Sequence, residues 1–378
     1  MPSTSSTGAR ARKPYRAAPR GQDAGAAGSD PLLARFARRL ITIPAYFAIC
    51  LLAIVTAPLW IPLAALADAR RKQTKAALRC LVFFTFYLHC EVAGIVASTV
   101  IWLISLPPTS RRRERALARQ FALETWWATT VFEGAARIFG FRLETQGAQA
   151  LAATPLLLLL RHASIADTLL PAVLVQAPHG TRLRYVVKRE LLWDPCLDLV
   201  GNRTPNFFVR RGSPDSAREI LGVARLASDL GPGEGVVIFP EGTRFTPEKS
   251  ARVRERLRED GDRELLAFAE SLRHVLPPRV GGSLALLDSG ADVVFGAHTG
   301  FEAAGSFWDL WGGSLVGRVI RARFWRVPAA EIPAEHSARI RWLFEHWARI
   351  DAWVGAELAR GPATRAPEPA PETRAIGG

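Results

Sequence analysis

The stretch from Leu40 to Ala67 contains no charged residue, and this feature constrains the fold of the chain most strongly. As a single helix it would be about 42 Å long, more than the roughly 30 Å thickness of a bilayer hydrocarbon core. Pro44, Pro58 and Pro62 are expected to kink or shorten it. The stretch is too long, and begins too far along the chain, for a cleaved signal peptide. The sequence therefore predicts a membrane segment.

A second apolar run extends from Leu81 to Leu106 and carries His89 and Glu91 near its middle. Ionisable side chains are costly in lipid unless they face protein or water. This run either spans the membrane or forms a re-entrant or interfacial element. We expect a helical hairpin in which His89 and Glu91 find partners inside the pair. A functional role for Glu91 is the alternative.

Basic residues flank both runs, and their distribution bears on orientation. They are Arg35, Arg38 and Arg39 before the first run, Arg70, Arg71, Lys72 and Lys75 between the runs, and Arg111, Arg112, Arg113 and Arg115 after the second. Two full spans would place the N-terminus and the main domain on the more basic, cytoplasmic side. We predict a bacterial inner (cytoplasmic) membrane protein with its main domain facing the cytoplasm. The connection between the two runs is also basic, which weakens this orientation and leaves open the alternative of a monotopic hairpin.

The net charge of +14 and the sequence pI near 10.6 indicate a polyanionic partner, either nucleic acid or an anionic membrane surface. No zinc-finger, RNP-type or basic-zipper pattern is present, so we expect membrane lipids and no nucleic acid. None of the four cysteines forms a C-x-x-C pair, and the sequence indicates neither a metal site nor a disulfide framework.

Four regions follow from composition: a disordered basic arm at 1–30, a membrane helical hairpin at 31–110, a main domain at 111–360, and a disordered tail at 361–378. Within the main domain, short apolar strands alternate with helical stretches. The predicted strands are Phe141–Thr145, Leu156–Leu160, Leu183–Val187, Asn206–Val209, Val236–Phe239, Val293–Ala297 and Val319–Trp325. Helices are predicted from Ser213 and Pro214 to about Leu230, and from about Ala334 to Leu358. We therefore predict an α/β fold in which a mixed sheet is flanked by helices and preceded by the hydrophobic hairpin.

His162 and Asp167 follow the strand Leu156–Leu160 and lie five positions apart. Inside one helix they would point about 140° apart. They can pair if His162 lies before the helix and Asp167 lies in its first turn, and Ser164 with Asp167 forms a capping-box-like S-x-x-D that supports this placement. Asp167 would then fix the tautomer of His162 and leave one ring nitrogen free to accept a proton. The alternative is that Asp167 only serves the helix N-terminus.

Two further segments carry polar groups at strand ends. Phe239-Pro240-Glu241-Gly242-Thr243-Arg244 follows an apolar strand, where α/β proteins place ligand groups. Asn206 to Arg211 delivers two adjacent arginines, and Lys188 ends another strand. Arginine suits bidentate binding of phosphate. The alternatives are an ordinary turn with a surface ion pair and solvated basic residues.

Together these segments resemble the glycerolipid acyltransferase superfamily typified by 1-acylglycerol-3-phosphate acyltransferases. His162 to Asp167 matches its H-x4-D block, Phe239 to Arg244 matches its F-P-E-G-T-R block, and Phe208 to Arg211 resembles the end of its G-x-x-F-I-x-R block. Pro205 stands where that third block usually has Gly. The insertion after Thr243 resembles a branch of lysophospholipid acyltransferases, which leaves the acceptor head group open.

The resemblance implies an O-acyltransferase of phospholipid biosynthesis, which moves a fatty acyl group from acyl-CoA or acyl-carrier protein to a lysophospholipid hydroxyl. It implies 1-acylglycerol-3-phosphate as acceptor and phosphatidate as product. It further implies His162 and Asp167 as catalytic residues, and neither metal nor cofactor beyond the acyl donor. The substrate-binding residues implied by the resemblance are Lys188, Arg211, Glu241, Gly242, Thr243 and Arg244. The alternatives are another lysophospholipid or an aminolipid as acceptor, or a catalytically silent membrane scaffold.

Overall fold

The computed structural model describes residues 31–71, 75–210 and 216–361. Arg211 and the predicted helix start at Ser213 and Pro214 lie outside the described residues, as do the arm at 1–30 and residues 362–378 of the tail. In chain order the described helices are α1 Leu32–Val55, α2 Ala57–Arg70, α3 Ala76–Ile104, α4 Ser110–Phe139, α5 Ala177–His179, α6 Pro195–Gly201, α7 Ser216–Ala227, α8 Pro247–Asp260, α9 Arg263–Ser271, α10 Val280–Leu287, α11 Phe307–Trp311 and α12 His336–Ala359.

A mixed sheet forms the centre of the main domain. Its strands are β1 Arg142–Gln146, β2 Leu156–Leu160, β3 Arg182–Lys188, β4 Phe207–Val209, β5 Glu234–Ile238, β6 Asp292–Thr299 and β7 Val319–Val327. They lie in the order β1-β7-β6-β2-β5-β3-β4, and β6 pairs with β7 in the antiparallel sense while the other neighbours are parallel. Every predicted strand is present, and its ends lie within two residues of the predicted ones.

Helices cover both faces of the sheet, and β2 at its centre contributes side chains to both. Leu157 and Leu159 pack with residues of α7, α10 and α12 on one face. Leu156, Leu158 and Leu160 pack on the other face with Val175 and neighbouring residues. Because successive side chains of a strand point to opposite faces, a strand buried on both sides needs a continuous apolar run. The five consecutive leucines satisfy this requirement.

The first apolar stretch forms two helices rather than one. α1 ends at Val55, and α2 begins at Ala57. Pro58 lies in the first turn of α2, where a backbone N–H would have no acceptor within the helix, so the N–H that proline lacks is not needed. α1 also starts earlier than the uncharged stretch, at Leu32. Its basic first turns contact the main domain, because Arg38 and Arg39 donate hydrogen bonds of 2.9 and 2.8 Å to the buried carboxylate of Asp198.

α1 and α3 are each long and apolar enough to cross a membrane, judged by length and composition alone. α3 packs one face against the main domain, where Glu91 is fully buried. Its carboxylate accepts a hydrogen bond from Trp127 of α4 at 2.9 Å, so this partner lies outside the hairpin, contrary to expectation. His89 bonds within its own helix, to the carbonyl of Thr85 at 2.6 Å. α3 is therefore part of the wall of the main domain.

Candidate active site

The carboxyl ends of five parallel strands meet at one edge of the sheet. His162 follows β2, Lys188 ends β3, Arg210 follows β4, and the turn that begins at Phe239 follows β5. Parallel strands necessarily end at the same edge, and open α/β sheets place their ligands there. The sheet therefore brings these sequence-distant side chains together.

His162 and Asp167 form a hydrogen-bonded pair at this edge. The Nδ1 atom of His162 lies 2.9 Å from Oδ1 of Asp167. His162 precedes a short 3₁₀ turn, Ala166–Leu169, and Asp167 lies within that turn. Because an ionised carboxylate only accepts hydrogen bonds, Nδ1 carries the proton and Nε2 keeps its lone pair.

Asp167 is fully buried, and its second oxygen is also held. Oδ2 accepts hydrogen bonds from the backbone N–H groups of Ala163 and Ser164 at 2.6 and 2.8 Å. Burial acts to raise the pKa of Asp167, but hydrogen bonds from His162 and His298 outweigh it and hold the pKa well below its usual range. Asp167 is thus an ionised carboxylate that fixes the orientation of the imidazole.

The capping box predicted around Ser164 is half formed. The carboxylate of Asp167 reaches back to the Ser164 N–H as a capping box requires. The Ser164 hydroxyl, however, accepts from the N–H of Ala166 at 3.3 Å and donates to the carbonyl of Ala304 at 2.7 Å. Ser164 therefore ties the loop after β2 to the segment after β6.

Two buried residues near the pair were not foreseen from the sequence. His298, in β6, has its Nε2 atom 3.0 Å from the carbonyl oxygen of Arg161 and 3.4 Å from Oδ2 of Asp167. Arg161 pairs with Glu302 and donates to the backbone carbonyls of His298 and His274. In the sequence, His298 could have been noticed as a polar residue that directly follows the apolar core of a strand, Val293–Ala297.

Glu241 has different partners from the glycerol group expected from the sequence. It is buried, and its two oxygens accept hydrogen bonds from the backbone N–H groups of His162 at 2.7 Å and Leu276 at 2.9 Å. Burial raises the pKa of Glu241 to about 8, although both backbone hydrogen bonds oppose this. In the structure, Glu241 fixes the backbone of His162 relative to the turn after β5.

The rest of that turn is shaped around Gly242. Its φ of 67° lies in the left-handed region, and a Cβ atom there would lie 2.7 Å from Nε of Arg279. The hydroxyl of Thr243 accepts a hydrogen bond from Lys249 at 3.1 Å. The guanidinium of Arg244 donates to the carbonyl of Gly305. Arg244 and Thr243 therefore act as braces of the loop in this structure.

A cavity of about 780 Å³ opens beside His162. Its size falls in the range typical of sites for small ligands. One part, which we call the aromatic lobe, has a wall from α3 and α4 and is lined by Phe83, Phe84, Tyr87, Trp127, Phe132 and Phe139. At the mouth lies what we call the basic rim, Lys188, Arg210 and Arg279. The side chain of His162, 15% exposed, lies in the wall of the same cavity.

The cavity passes between two strands of the sheet. β3 pairs with β5 from Arg182 to Tyr185, but its last residues, Val186–Lys188, pair only with β4. The two strands therefore part beyond Tyr185, and the residues on both sides of the opening line the cavity. This opening connects the two faces of the sheet beside the edge at which His162 lies.

Arg279 joins the basic rim from a distant part of the chain. Its N–H donates to the carbonyl of Pro240 at 2.8 Å, and its exposed side chain lies over Gly242. The preceding segment is anchored by Asp351 of α12, whose carboxylate accepts from the N–H groups of Arg273, His274 and Val275. Arg279 is a candidate binding residue that the sequence analysis missed.

Comparison with known proteins agrees with this geometry. Residues 142–277 match the sequence profile of the family described as Acyltransferase. This range contains His162, Asp167, Lys188 and the turn from Phe239 to Arg244. The resemblance inferred from the sequence is confirmed as a similarity to this family over the matched residues.

The fold resembles that of a solved enzyme. The crystal structure of the 1-acyl-sn-glycerophosphate (LPA) acyltransferase PlsC from Thermotoga maritima superposes with a TM-score of 0.50 at 12% sequence identity. The match covers 77% of this chain and 100% of that chain. At this identity the likeness establishes the fold: a mixed α/β sheet flanked by helices, with apolar helices at its N-terminal side.

Proposed function

We propose that this protein transfers a fatty acyl group from a thioester to the hydroxyl of a lysophospholipid, with 1-acylglycerol-3-phosphate as the acceptor and phosphatidate as the product. The observation that carries the proposal is the His162–Asp167 pair, with His162 in the wall of the cavity that the aromatic lobe and the basic rim also line. The cavity thus offers a general base, an apolar space for an acyl chain and cations for a phosphate.

The proposed reaction is a direct transfer. Nε2 of His162 accepts the proton of the acceptor hydroxyl as its oxygen attacks the thioester carbonyl carbon. The new C–O bond forms, the tetrahedral intermediate collapses, and the C–S bond breaks. The imidazolium returns the proton to the departing thiolate. Asp167 stabilises the charged imidazole throughout, because it is ionised and hydrogen-bonded to Nδ1.

The basic rim would bind the phosphate of the acceptor. Lys188, Arg210 and Arg279 line the mouth of the cavity. Glu190, 3.7 Å from Lys188, and Glu219, which accepts from the N–H of Arg210, partly offset their charge. Arg211 is proposed to join them on the strength of its motif alone. Arg244, predicted as a phosphate ligand, is proposed instead to brace the loop through Gly305.

The apolar helices support a location at a membrane. Large apolar side chains are exposed along α1 and α2 and at the C-terminal end of α3, including Leu40, Leu63 and Leu103. Contiguous apolar surface of this kind is typical of membrane contact. We propose that these helices hold the domain at the cytoplasmic face of a membrane, so that lysolipids reach the cavity without passing through water.

An acyl-transfer assay on the purified full-length protein in lipid vesicles tests the function. The donor is a long-chain acyl-CoA or acyl-carrier protein, and the acceptors are lysophosphatidate, other lysophospholipids and a phosphate-free monoacylglycerol. Loss of the general base in His162→Ala should lower kcat by about 10²- to 10⁴-fold. The matched control is His179→Ala at an exposed histidine outside the cavity.

Two outcomes would reject the proposal. Transfer at the wild-type rate by His162→Ala would remove the proposed base. Absence of transfer by the wild-type protein to every acceptor, with both donors, would favour the silent scaffold. Equal use of lysophosphatidate and monoacylglycerol would reject only the requirement for a phosphate on the acceptor, and the proposed acyl transfer would stand.

A further inference from the structure

Four polar side chains line the cavity on the side of α4 and β3. They are Glu124 of α4, Gln176 before α5, Tyr185 of β3 and Asn206 before β4. Gln176 is only 3% exposed and ends a π-helical turn, Ala172–Gln176. Turns of this kind are rare and often occur at functional sites. The proposed transfer chemistry at His162 uses none of these four residues.

Two of the four have their hydrogen bonds satisfied within the protein. The Tyr185 hydroxyl donates to Oε1 of Gln176 at 2.8 Å. The side-chain oxygen of Asn206 accepts from the N–H of Tyr185 at 2.7 Å, and its nitrogen donates to the hydroxyl of Thr204 at 2.9 Å. These contacts fix the position of the Gln176 amide.

The other two leave one donor and one acceptor without a close partner. Among the described residues, Nε2 of Gln176 and Oε2 of Glu124 are both buried, and neither has a partner at ordinary hydrogen-bond distance and angle. Burial raises the pKa of Glu124 to about 7, and longer hydrogen bonds from Thr204 and Gln176 lower it only in part. The Gln176 amide therefore lies near the Glu124 carboxylate without forming a hydrogen bond of ordinary geometry. Buried polar atoms in native proteins are nearly always paired, so this pair is unusual.

A hydroxyl group complements this pair. It donates one hydrogen bond, here to Oε2 of Glu124, and its oxygen accepts another, here from Nε2 of Gln176. Most other side chains around the aromatic lobe are apolar. The ligand that fits is therefore an apolar chain that carries a single hydroxyl.

The strand register places the backbone of Tyr185, whose hydroxyl donates to Gln176, well below the level of His162. Tyr185 is level with Val237 of β5, and Val237 is level with Leu158 of β2. Leu158 lies four residues before His162, which corresponds to roughly 13 Å at about 3.3 Å per residue. A hydroxyl bound at this depth lies well beyond the beta carbon of a chain whose carbonyl is at His162.

We propose that Glu124 and Gln176 form a subsite for an acyl chain with a hydroxyl in its middle or distal part. The inference rests on the proposed function, because it places an acyl chain in the aromatic lobe. Such a chain belongs either to the thioester donor or to the lysolipid acceptor. Both sources carry the same chemistry, and separate assays distinguish them.

The test compares plain, beta-hydroxylated, mid-chain-hydroxylated and ω-hydroxylated acyl-CoA of one chain length, with a plain lysophosphatidate. A second series keeps a plain donor and varies the hydroxyl on the lysolipid chain. In one of the two series, the wild-type protein should favour the mid-chain or ω-hydroxylated compound by at least about tenfold in kcat/KM, because sites built around a hydroxyl discriminate strongly against its absence.

Two substitutions show whether the pair causes this preference. Gln176→Met and Glu124→Met keep side-chain length, and they remove the donor and the acceptor of the pair respectively. Each should reduce the preference to less than about twofold, whereas Gln149→Leu, at an exposed glutamine, should leave both the preference and the rate unchanged.

The outcomes separate the two proposals. Transfer of plain chains without any preference for a hydroxyl would overturn the subsite and indicate that the pair binds only water. A preference that survives both substitutions would overturn it equally. Absence of transfer from every donor to every acceptor would instead reject the proposed function.

Discussion

Replacing Asp167 with asparagine tests whether the carboxylate fixes the tautomer of His162. One oxygen of Asp167 accepts from Nδ1 of His162, and the other accepts from the N–H groups of Ala163 and Ser164. Asparagine has one oxygen and one NH₂ group. If its NH₂ faced the two backbone N–H groups, two buried donors would lose their acceptor at a cost of about 1–3 kcal/mol each.

The favoured orientation of the new amide in Asp167→Asn therefore keeps its oxygen on the backbone and turns its NH₂ group toward His162. Nδ1 must then accept a hydrogen bond, so the proton moves to Nε2 and the ring loses its function as a base. The same change in a serine protease lowers kcat by about 10⁴-fold. We expect a loss of about 10³- to 10⁴-fold here, equivalent to about 4–5.5 kcal/mol of activation free energy.

The assay is saturation kinetics of acyl transfer, with thermal unfolding of the same preparation. Asp288→Asn, at an exposed carboxylate paired with Arg339, provides the matched control and should keep full activity. A loss in kcat of less than about threefold by a folded Asp167→Asn protein would refute the tautomer argument. If a large loss of activity comes with a lower Tm, circular dichroism and the binding of acceptor will show whether the variant is still folded under the assay conditions.

Gly242→Ala should lower Tm by several degrees, because a left-handed residue with a Cβ costs about 1–2 kcal/mol and this Cβ would contact Arg279. An unchanged Tm in calorimetry would show that the substitution causes no such strain. Arg279→Ala should raise KM for lysophosphatidate about tenfold without raising it for monoacylglycerol, and equal effects on both acceptors would remove Arg279 from phosphate binding. Burial raises the pKa of Glu241 to about 8, so the folded protein keeps a proton that the unfolded chain releases above roughly pH 4.3. This carboxyl should therefore make the fold less stable as pH rises from about 4.3 to about 8. Over this pH range, the Tm of Glu241→Gln should decline less steeply than the Tm of the wild type.

The strands could be predicted from the sequence because their burial leaves a local pattern. Leu156–Leu160 was predicted with the bounds that it has in the structure, since a central parallel strand must be apolar on both faces. His162 and Asp167 could be placed because their pairing depends on only a few residues of backbone. The local geometry could be predicted wherever the contacts that decide it are also local.

Arg244 and Arg279 show where sequence information ends. Arg244 lies in the matched motif, yet its guanidinium donates to Gly305, which is far away in sequence. Arg279 lies outside the matched range and reaches the cavity because Glu241 and Asp351 anchor the preceding backbone. The direction of a long side chain is decided by such distant contacts, and no local pattern encodes them.

The break between α1 and α2 has a similar origin. Hydropathy treats the stretch from Leu40 to Ala67 as one segment, whereas the structure interrupts it at Thr56. Three prolines were possible sites for a break, but Pro44 and Pro62 lie inside helices. Only Pro58 lies in the first turn of a helix, where proline is compatible with regular geometry.

The strand order explains why one cavity can hold groups of opposite character. β5 lies between β2 and β3, so His162 and Lys188 are about two strand spacings, or roughly 10 Å, apart across the opening. In the proposed reaction, this separation suits a single acceptor that carries a phosphate and a hydroxyl on a short backbone, as a glycerol phosphate does. β3 leaves β5 beyond Tyr185, and residues of the aromatic lobe and of the basic rim line the same cavity. The proposed function uses this arrangement to keep an acyl chain among apolar side chains while the phosphate stays with the exposed basic residues.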